Sequence, residues 1–235
     1  MMHSETLDAN SRNNLLILKK GILLNDFYLA GGTAVALHLG HRISYDLDFF
    51  SNKSFDGLAL GRTLSALGDY RNKFLDSNNL IGGFNGTSIS FIFYKPEMIG
   101  KFHQFEGVNI TALDDLIGMK IEAISSRGKK RDFIDLFSMM KYKNISITDA
   151  MFLYREKYKN FNPSIIHALK SLTYFSDAEN DPLPEMKTPI QWQEVKNFFE
   201  RELSKMDTIL KIVNTISGPH KIGIKDNSQD FGPER

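Results

Sequence analysis

The chain has 235 residues, of which 42% are apolar and 24% charged, with a formal net charge of +1. That balance fits a globular protein with a sizeable core and gives no overall electrostatic pull toward nucleic acid or an acidic membrane. Cysteine is absent, which excludes disulfides, thiolate metal sites and a cysteine nucleophile. The polar opening Met1 to Asn14 has no signal-peptide pattern, and the apolar run Leu15–Leu18 is broken by Lys19-Lys20, too short to span a membrane. The expected location is the cytoplasm, with no membrane partner.

Taken in chain order, a helix is expected near 7–20. The short apolar run Phe27-Tyr28-Leu29-Ala30 reads as a buried strand, and Ala34 to Leu39 as the first turns of a helix. Between them lies Gly31-Gly32-Thr33. Two glycines at a strand-to-helix turn let backbone approach a ligand closely, and the free N–H groups of the helix start suit a phosphate. Twelve residues later comes Asp46-Leu47-Asp48, leading into Phe49-Phe50. Residues two apart on a strand share a face, so Asp46 and Asp48 point the same way, and burying two like charges is costly without a cation. Such a pair suits Mg²⁺ held against a triphosphate. In the intervening loop, Arg42 can grip phosphate through two hydrogen bonds and Ser44 can donate one. His38 and His41 lack a third neighbouring ligand in the sequence and read as packing residues.

Further along, a helix is expected near 57–69. Lys73–Ile81 and Thr87–Tyr94 read as a two-strand hairpin joined through Gly82 to Gly86, and a short strand follows near 107–110. Helices are expected near 112–126, 131–142, 147–159, 163–174 and 190–212. Leu113, Leu116, Ile117, Ile121 and Ile124 make an apolar stripe with Lys120 at its centre. A lysine there either snorkels to solvent or reaches a buried anion, a carboxylate or a phosphate. Arg127, Lys129, Lys130 and Arg131 crowd the next junction, while Asp132 and Asp135 fall at the edge of the face made by Phe133, Leu136, Phe137 and Met140. From there the two acids could orient Lys120 or an arginine. The composition of Ser217 to Arg235 predicts disorder. The expected fold class is α+β. A mixed-sheet lobe over residues 1–110 is flanked by helices, a helical lobe follows over 111–212, and a disordered tail occupies 213–235.

The string from Leu29 to Phe50 resembles the AbiEii/AbiGii toxin family of nucleotidyltransferases, within the DNA-polymerase-β-like superfamily. The resemblance extends over roughly residues 15–205. It implies a nucleotidyltransferase catalytic lobe over 1–110 and an enzyme that moves a nucleoside monophosphate from an NTP to an acceptor hydroxyl with one or two Mg²⁺ ions. Asp46 and Asp48 would be the metal ligands. Gly31, Gly32, Thr33, Arg42, Ser44, Lys120, Arg127, Lys129 and Arg131 would be nucleotide contacts. Lys120 maps to the family's third motif, and Arg127, Lys129 and Asp132 to its fourth, which places Lys120 and Asp132 beside the metal ligands as catalytic residues with Asp135 in support. The segment Tyr174 to Pro184 resembles the family's C-terminal portion and is expected to pack the lobes. The family further implies a toxin of a toxin–antitoxin or phage-defence system, a cognate antitoxin, and an RNA acceptor such as host tRNA. One departure stands out: polymerase-like enzymes carry a third carboxylate on a neighbouring strand, and the strand Thr87–Tyr94 offers only Ser88 and Ser90 at its inward polar positions. That leaves open a stand-in acid, Asp132 or Asp135, a weaker metal site, or a nucleotide-binding module that acts through a protein partner.

Overall fold

The computed structural model describes residues 2–21 and 24–215. Helix α1 (Ala9–Lys20) starts at Asp8, whose carboxylate accepts from the backbone N–H groups of Asn10 and Ser11. Strand β1 (Tyr28–Leu29) runs straight into α2 (Gly31–Leu39), which stops at Gly40 in the left-handed region. Strand β2 (Leu47–Ser51) follows, then α3 (Gly57–Leu67). Next come β3 (Tyr70–Leu75), β4 (Asn79–Phe84), β5 (Thr87–Phe93), β6 (His103–Phe105) and β7 (Val108–Ile110). The strands form one mixed seven-stranded sheet in the order β3-β4-β5-β2-β1-β7-β6, with β2 central, parallel to β5 and antiparallel to β1.

The rest of the chain is helical: α4 (Leu113–Arg127), α5 (Lys130–Lys143), α6 (Ile147–Lys157), α7 (Ile165–Ser171), the single turn α8 (Ser176–Glu179), α9 (Trp192–Glu202) and α10 (Met206–Thr215). The α+β class follows as expected. Helix α4 packs on α5, α6 and α7, and α2 packs on both α4 and α5, tying the sheet to the helices. One continuous apolar core runs through both regions, from Leu15 and Phe49 to Phe133 and Phe199. Among the described residues no helix is long and apolar enough to cross a membrane.

Three local expectations change. The glycines Gly82 and Gly83 do not turn the chain but lie inside β4, and the turn is Asn85-Gly86, both at positive φ. The expected hairpin is therefore a three-stranded meander, with β3 on the sheet edge. The helix expected over 190–212 is two, α9 and α10, divided by a short 3-10 turn at Leu203–Lys205. Strand β6, outside the expected set, pairs with β7. Residues 213–215 close α10, and the remainder of the tail expected to be disordered, 216–235, lies outside the described residues.

Candidate active site

Strand β2 alternates cleanly. Leu47, Phe49 and Ser51 are buried, Phe49 stacking on Phe91 with ring centroids 5.0 Å apart, while Asp48 and Phe50 face the other side. Asp46 immediately precedes the strand. Both acids line one cleft of about 750 Å³. The β1–α2 turn sits directly against them. The Ala30 N–H donates to the Asp48 carbonyl at 2.9 Å, and Gly31 starts α2 at φ +63°. A Cβ on Gly31 would lie 2.5 Å from Asp48 Oδ2, so both conformation and space demand glycine there. Thr33 and Ser44, both buried, share a hydrogen bond at 2.8 Å, and the Thr33 hydroxyl also bonds the Asp46 carbonyl. The two hydroxyls thereby hold the backbone that presents Asp46.

The neighbouring strand supplies a hydroxyl in place of an acid. In the parallel register Asp48 stands opposite Ser90, whose Oγ donates to Asp48 Oδ1 at 2.6 Å. Burial pushes the Asp48 carboxyl above the usual carboxylate range. The Ser90 hydrogen bond opposes that rise and the charge of Asp46 adds to it.

Facing the acids is a basic wall from the helices. Lys120 reaches a buried anion, as one of the two sequence-based alternatives has it, and the anion is a carboxylate. Its Nζ lies 2.8 Å from both Asp132 Oδ1 and Asp135 Oδ2. Arg127 forks onto Asp132 at 2.9 and 3.1 Å. Arg42 forks onto Asp135 at 2.8 and 2.9 Å, and His41 Nε2 adds a third contact to Asp135 at 2.8 Å. A Cβ on Gly32 would run into Arg42 Nη2, so glycine there admits the guanidinium beneath the start of α2. Burial alone would raise the two acids. The charge of Lys120 with the Arg127 hydrogen bonds holds Asp132 below its ordinary value, and Arg42 with Lys120 holds Asp135 well below. Both acids have side chains at 0% exposure and are held as ionised anchors for the cations. Arg131, half exposed, comes to 3.5 Å from Asp46 Oδ2.

A third wall comes from Asp181 to Glu185, where the sequence suggests only lobe packing. Asp181 accepts from Lys129 Nζ at 3.3 Å and from the Lys130 N–H at 3.0 Å. The Ile43 N–H donates to the Glu185 carbonyl at 2.8 Å, and the Lys187 N–H to the His41 carbonyl at 2.9 Å. Proline at 182 and 184 stiffens this strap.

Comparison with known proteins adds the lineage. A family model described as "Nucleotidyl transferase AbiEii toxin, Type IV TA system" matches residues 16–91 and 87–212. The chain belongs to the AbiEii nucleotidyltransferase toxin family. A curated relative, the uncharacterized protein aq_aa25 of Aquifex aeolicus, is 35% identical over 187 residues, covering 78% of this chain and 89% of that protein. Among solved structures, a nucleotidyltransferase of H. pylori described as putative aligns at 17% identity and TM-score 0.49, over 90% of this chain and all of that one. The nucleotidyltransferase toxin MenT4 of Mycobacterium tuberculosis aligns at 13% identity and TM-score 0.48, over 89% and 87%. In this AbiEii-family protein, then, the Gly-Gly-Thr turn, the Asp-Leu-Asp strand and the two basic junctions meet in a single cleft.

Proposed function

We propose that the protein transfers a nucleoside monophosphate from a Mg²⁺-bound NTP to a hydroxyl of an RNA acceptor, releasing pyrophosphate, as the toxin half of a toxin–antitoxin or phage-defence pair with a cognate antitoxin in the cytoplasm. The observation that carries this reading is the cleft that Asp46 and Asp48 share with Arg42, Lys120, Arg127, Lys129 and Arg131. The donor set fits magnesium. Its ligands would be carboxylate oxygens, and that ion is commonly held by one or two protein carboxylates completed by substrate phosphates. Among the described residues no group of three or more His, Asp or Glu converges as a complete protein-only metal site. When bound, the ion would neutralise charge on the phosphates and polarise the transferred group. The residues do the rest. Asp46 and Asp48 would hold the ion at the sheet, and the start of α2 would offer its N–H groups to the phosphates. Lys120 and Arg127, anchored by Asp132 and Asp135, present positive charge that needs no reorganisation as the reaction proceeds.

The Ser90 hydroxyl at the usual place of a third carboxylate favours one alternative, a binding module that holds nucleotide without turnover. Incubation with α-labelled NTPs and total RNA separates the two. Mg²⁺-dependent label in RNA, lost in Asp48→Asn, is expected for the enzyme. Label that stays bound without covalent transfer to RNA, protein or small molecule would establish the module instead.

A further inference from the structure

The sheet face that carries Asp48 continues outward past the cleft. Cross-strand partners share a face, and the register runs from Asp48 on β2 to Ser90 on β5, to Ile81 on β4 and to Phe74 on β3. Ile81 lines the cleft. Phe74 lies beyond it, about 14 Å from Asp48 at three strand spacings of ~4.8 Å. Both side chains are exposed, Phe74 by 49%. A single exposed phenylalanine needs no explanation, but here two apolar cross-strand neighbours extend from the acids toward the sheet edge. The adjoining row is Ser88, Gly83 and Arg71. A Cβ on Gly83 would meet nothing nearer than the Thr87 carbonyl at 3.9 Å, so the surface beside Phe74 and Ile81 is low and open. Helix α3 packs on the opposite face, against Tyr70, Leu75 and Leu80.

The composition of these strands selects the occupant. Strands β3, β4 and β5 carry Arg71 and Lys73 and no acidic residue. Arg71 is 80% exposed and donates to Asp69, just before the strand, at 2.9 Å. Such a surface pair is worth little and yields readily to a phosphate. An uncovered sheet face with an aromatic ring, an apolar neighbour, flat backbone and nearby cations is an arrangement on which unpaired bases stack while their phosphates meet basic side chains. We propose that Phe74 and Ile81 form a stacking platform for the unpaired 3′ end of the RNA acceptor, which leads its terminal hydroxyl along the register to the acids, with Arg71 and Lys73 on the phosphates. The inference rests on the reading of the cleft as a nucleotidyl-transfer site. Paired bases hide their faces within the helix, so the platform selects single-stranded ends. Stacking also supplies affinity that a chain of net charge +1 does not gain from long-range attraction.

The test is fluorescence anisotropy of the full chain, at one fixed salt concentration, with a short single-stranded RNA carrying a fluorophore at its 5′ end. Calorimetry with a non-hydrolysable NTP analogue and Mg²⁺ runs beside it. The wild type should bind the single strand more tightly than the same sequence in a blunt duplex. Phe74→Ala should bind the single strand roughly fivefold more weakly or worse, the low end of what losing one base–aromatic stack removes, and Phe74→Tyr should restore it. Both variants should bind the analogue as the wild type does. Unchanged RNA affinity in Phe74→Ala, no RNA binding by the wild type, or a duplex bound as tightly as the single strand would overturn the proposal while leaving the site reading intact. So would loss of analogue binding in Phe74→Ala, which would make the residue structural. A wild-type dimer in sedimentation velocity that Phe74→Ala turns monomeric would assign the face to a second copy of the chain and overturn it equally. Failure of the wild type to bind the analogue would remove the site reading and this inference together.

Discussion

Replacing Asp135 by asparagine removes the anion on which the sheet side and the helical side of the cleft meet. Asp135 is fully buried and holds Arg42 through two hydrogen bonds, Lys120 at 2.8 Å and His41 at 2.8 Å. With Asp132 it balances Arg42, Lys120 and Arg127, so three cations face two acids, and Asp135→Asn leaves three facing one. The amide is nearly the same size, so packing is conserved while the charge and one acceptor oxygen are lost. Breaking a buried pair by removing one partner typically costs about 3–5 kcal/mol, because the surviving cations remain buried without their counter-ion. Against a total stability of about 5–15 kcal/mol that is a large fraction, and at about 2–4 °C per kcal/mol for a chain of this size it lowers the melting temperature by roughly 10 °C. Thermal and urea unfolding followed by circular dichroism at pH 7 reads the effect. Arg71→Gln, which breaks the exposed pair with Asp69, serves as the control and should change stability by less than about 0.5 kcal/mol. An Asp135→Asn protein within about 1 kcal/mol of wild type would refute the view that this cluster is a buried, mutually dependent set of charges.

Two further outcomes follow from the same geometry. Gly31→Ala forces a side chain into the left-handed region and against Asp48 Oδ2, so it should lose about 1–2 kcal/mol and weaken nucleotide–Mn²⁺ binding, both readable on one purified variant. Asp132 and Asp135 are held below their ordinary values in the folded state, so their contribution is complete above about pH 4, near the unfolded value, and is lost as pH falls through the depressed folded values. The urea midpoint should therefore drop as pH falls below about 4, and drop less steeply in Asp135→Asn, whereas a flat profile there would contradict the assigned directions.

The parts of the fold that were legible in the sequence are those encoded by local spacing. Gly31-Gly32 at a strand-to-helix junction and Asp46-Leu47-Asp48 ahead of two phenylalanines announce themselves, because the turn geometry and the two-residue period of a strand act over a few residues. Lys120 was visible as an anomaly within its stripe, but its partners depend on how α4 crosses α5, which no local pattern reports. Gly82 was misleading for a physical reason. Glycine usually marks a turn, but here a Cβ would lie 2.5 Å from the Arg71 carbonyl, so the residue is needed for close strand approach. The strap at 181–187 was illegible as a cleft wall because it has no periodicity. Its hydrogen bonds go to the backbone at 41 and 43, to the Tyr45 phenol and to residues 129 and 130.

That strap also sets a schedule for the nascent chain. Asp46 and the residue that begins the wall, Asp181, are far apart in sequence, and the ribosome adds about 5–20 residues per second. The acids therefore leave the ribosome many seconds before the segment that encloses them. Throughout that interval the growing polypeptide carries Asp46 and Asp48 without the wall that will enclose them, and Ile43 and His41 still await the backbone that will pair with them. A protein whose finished form belongs to a family of toxins is thus built with its cleft among the last things to be completed, so a truncated translation product ending before this segment lacks the third wall however well its first half has folded.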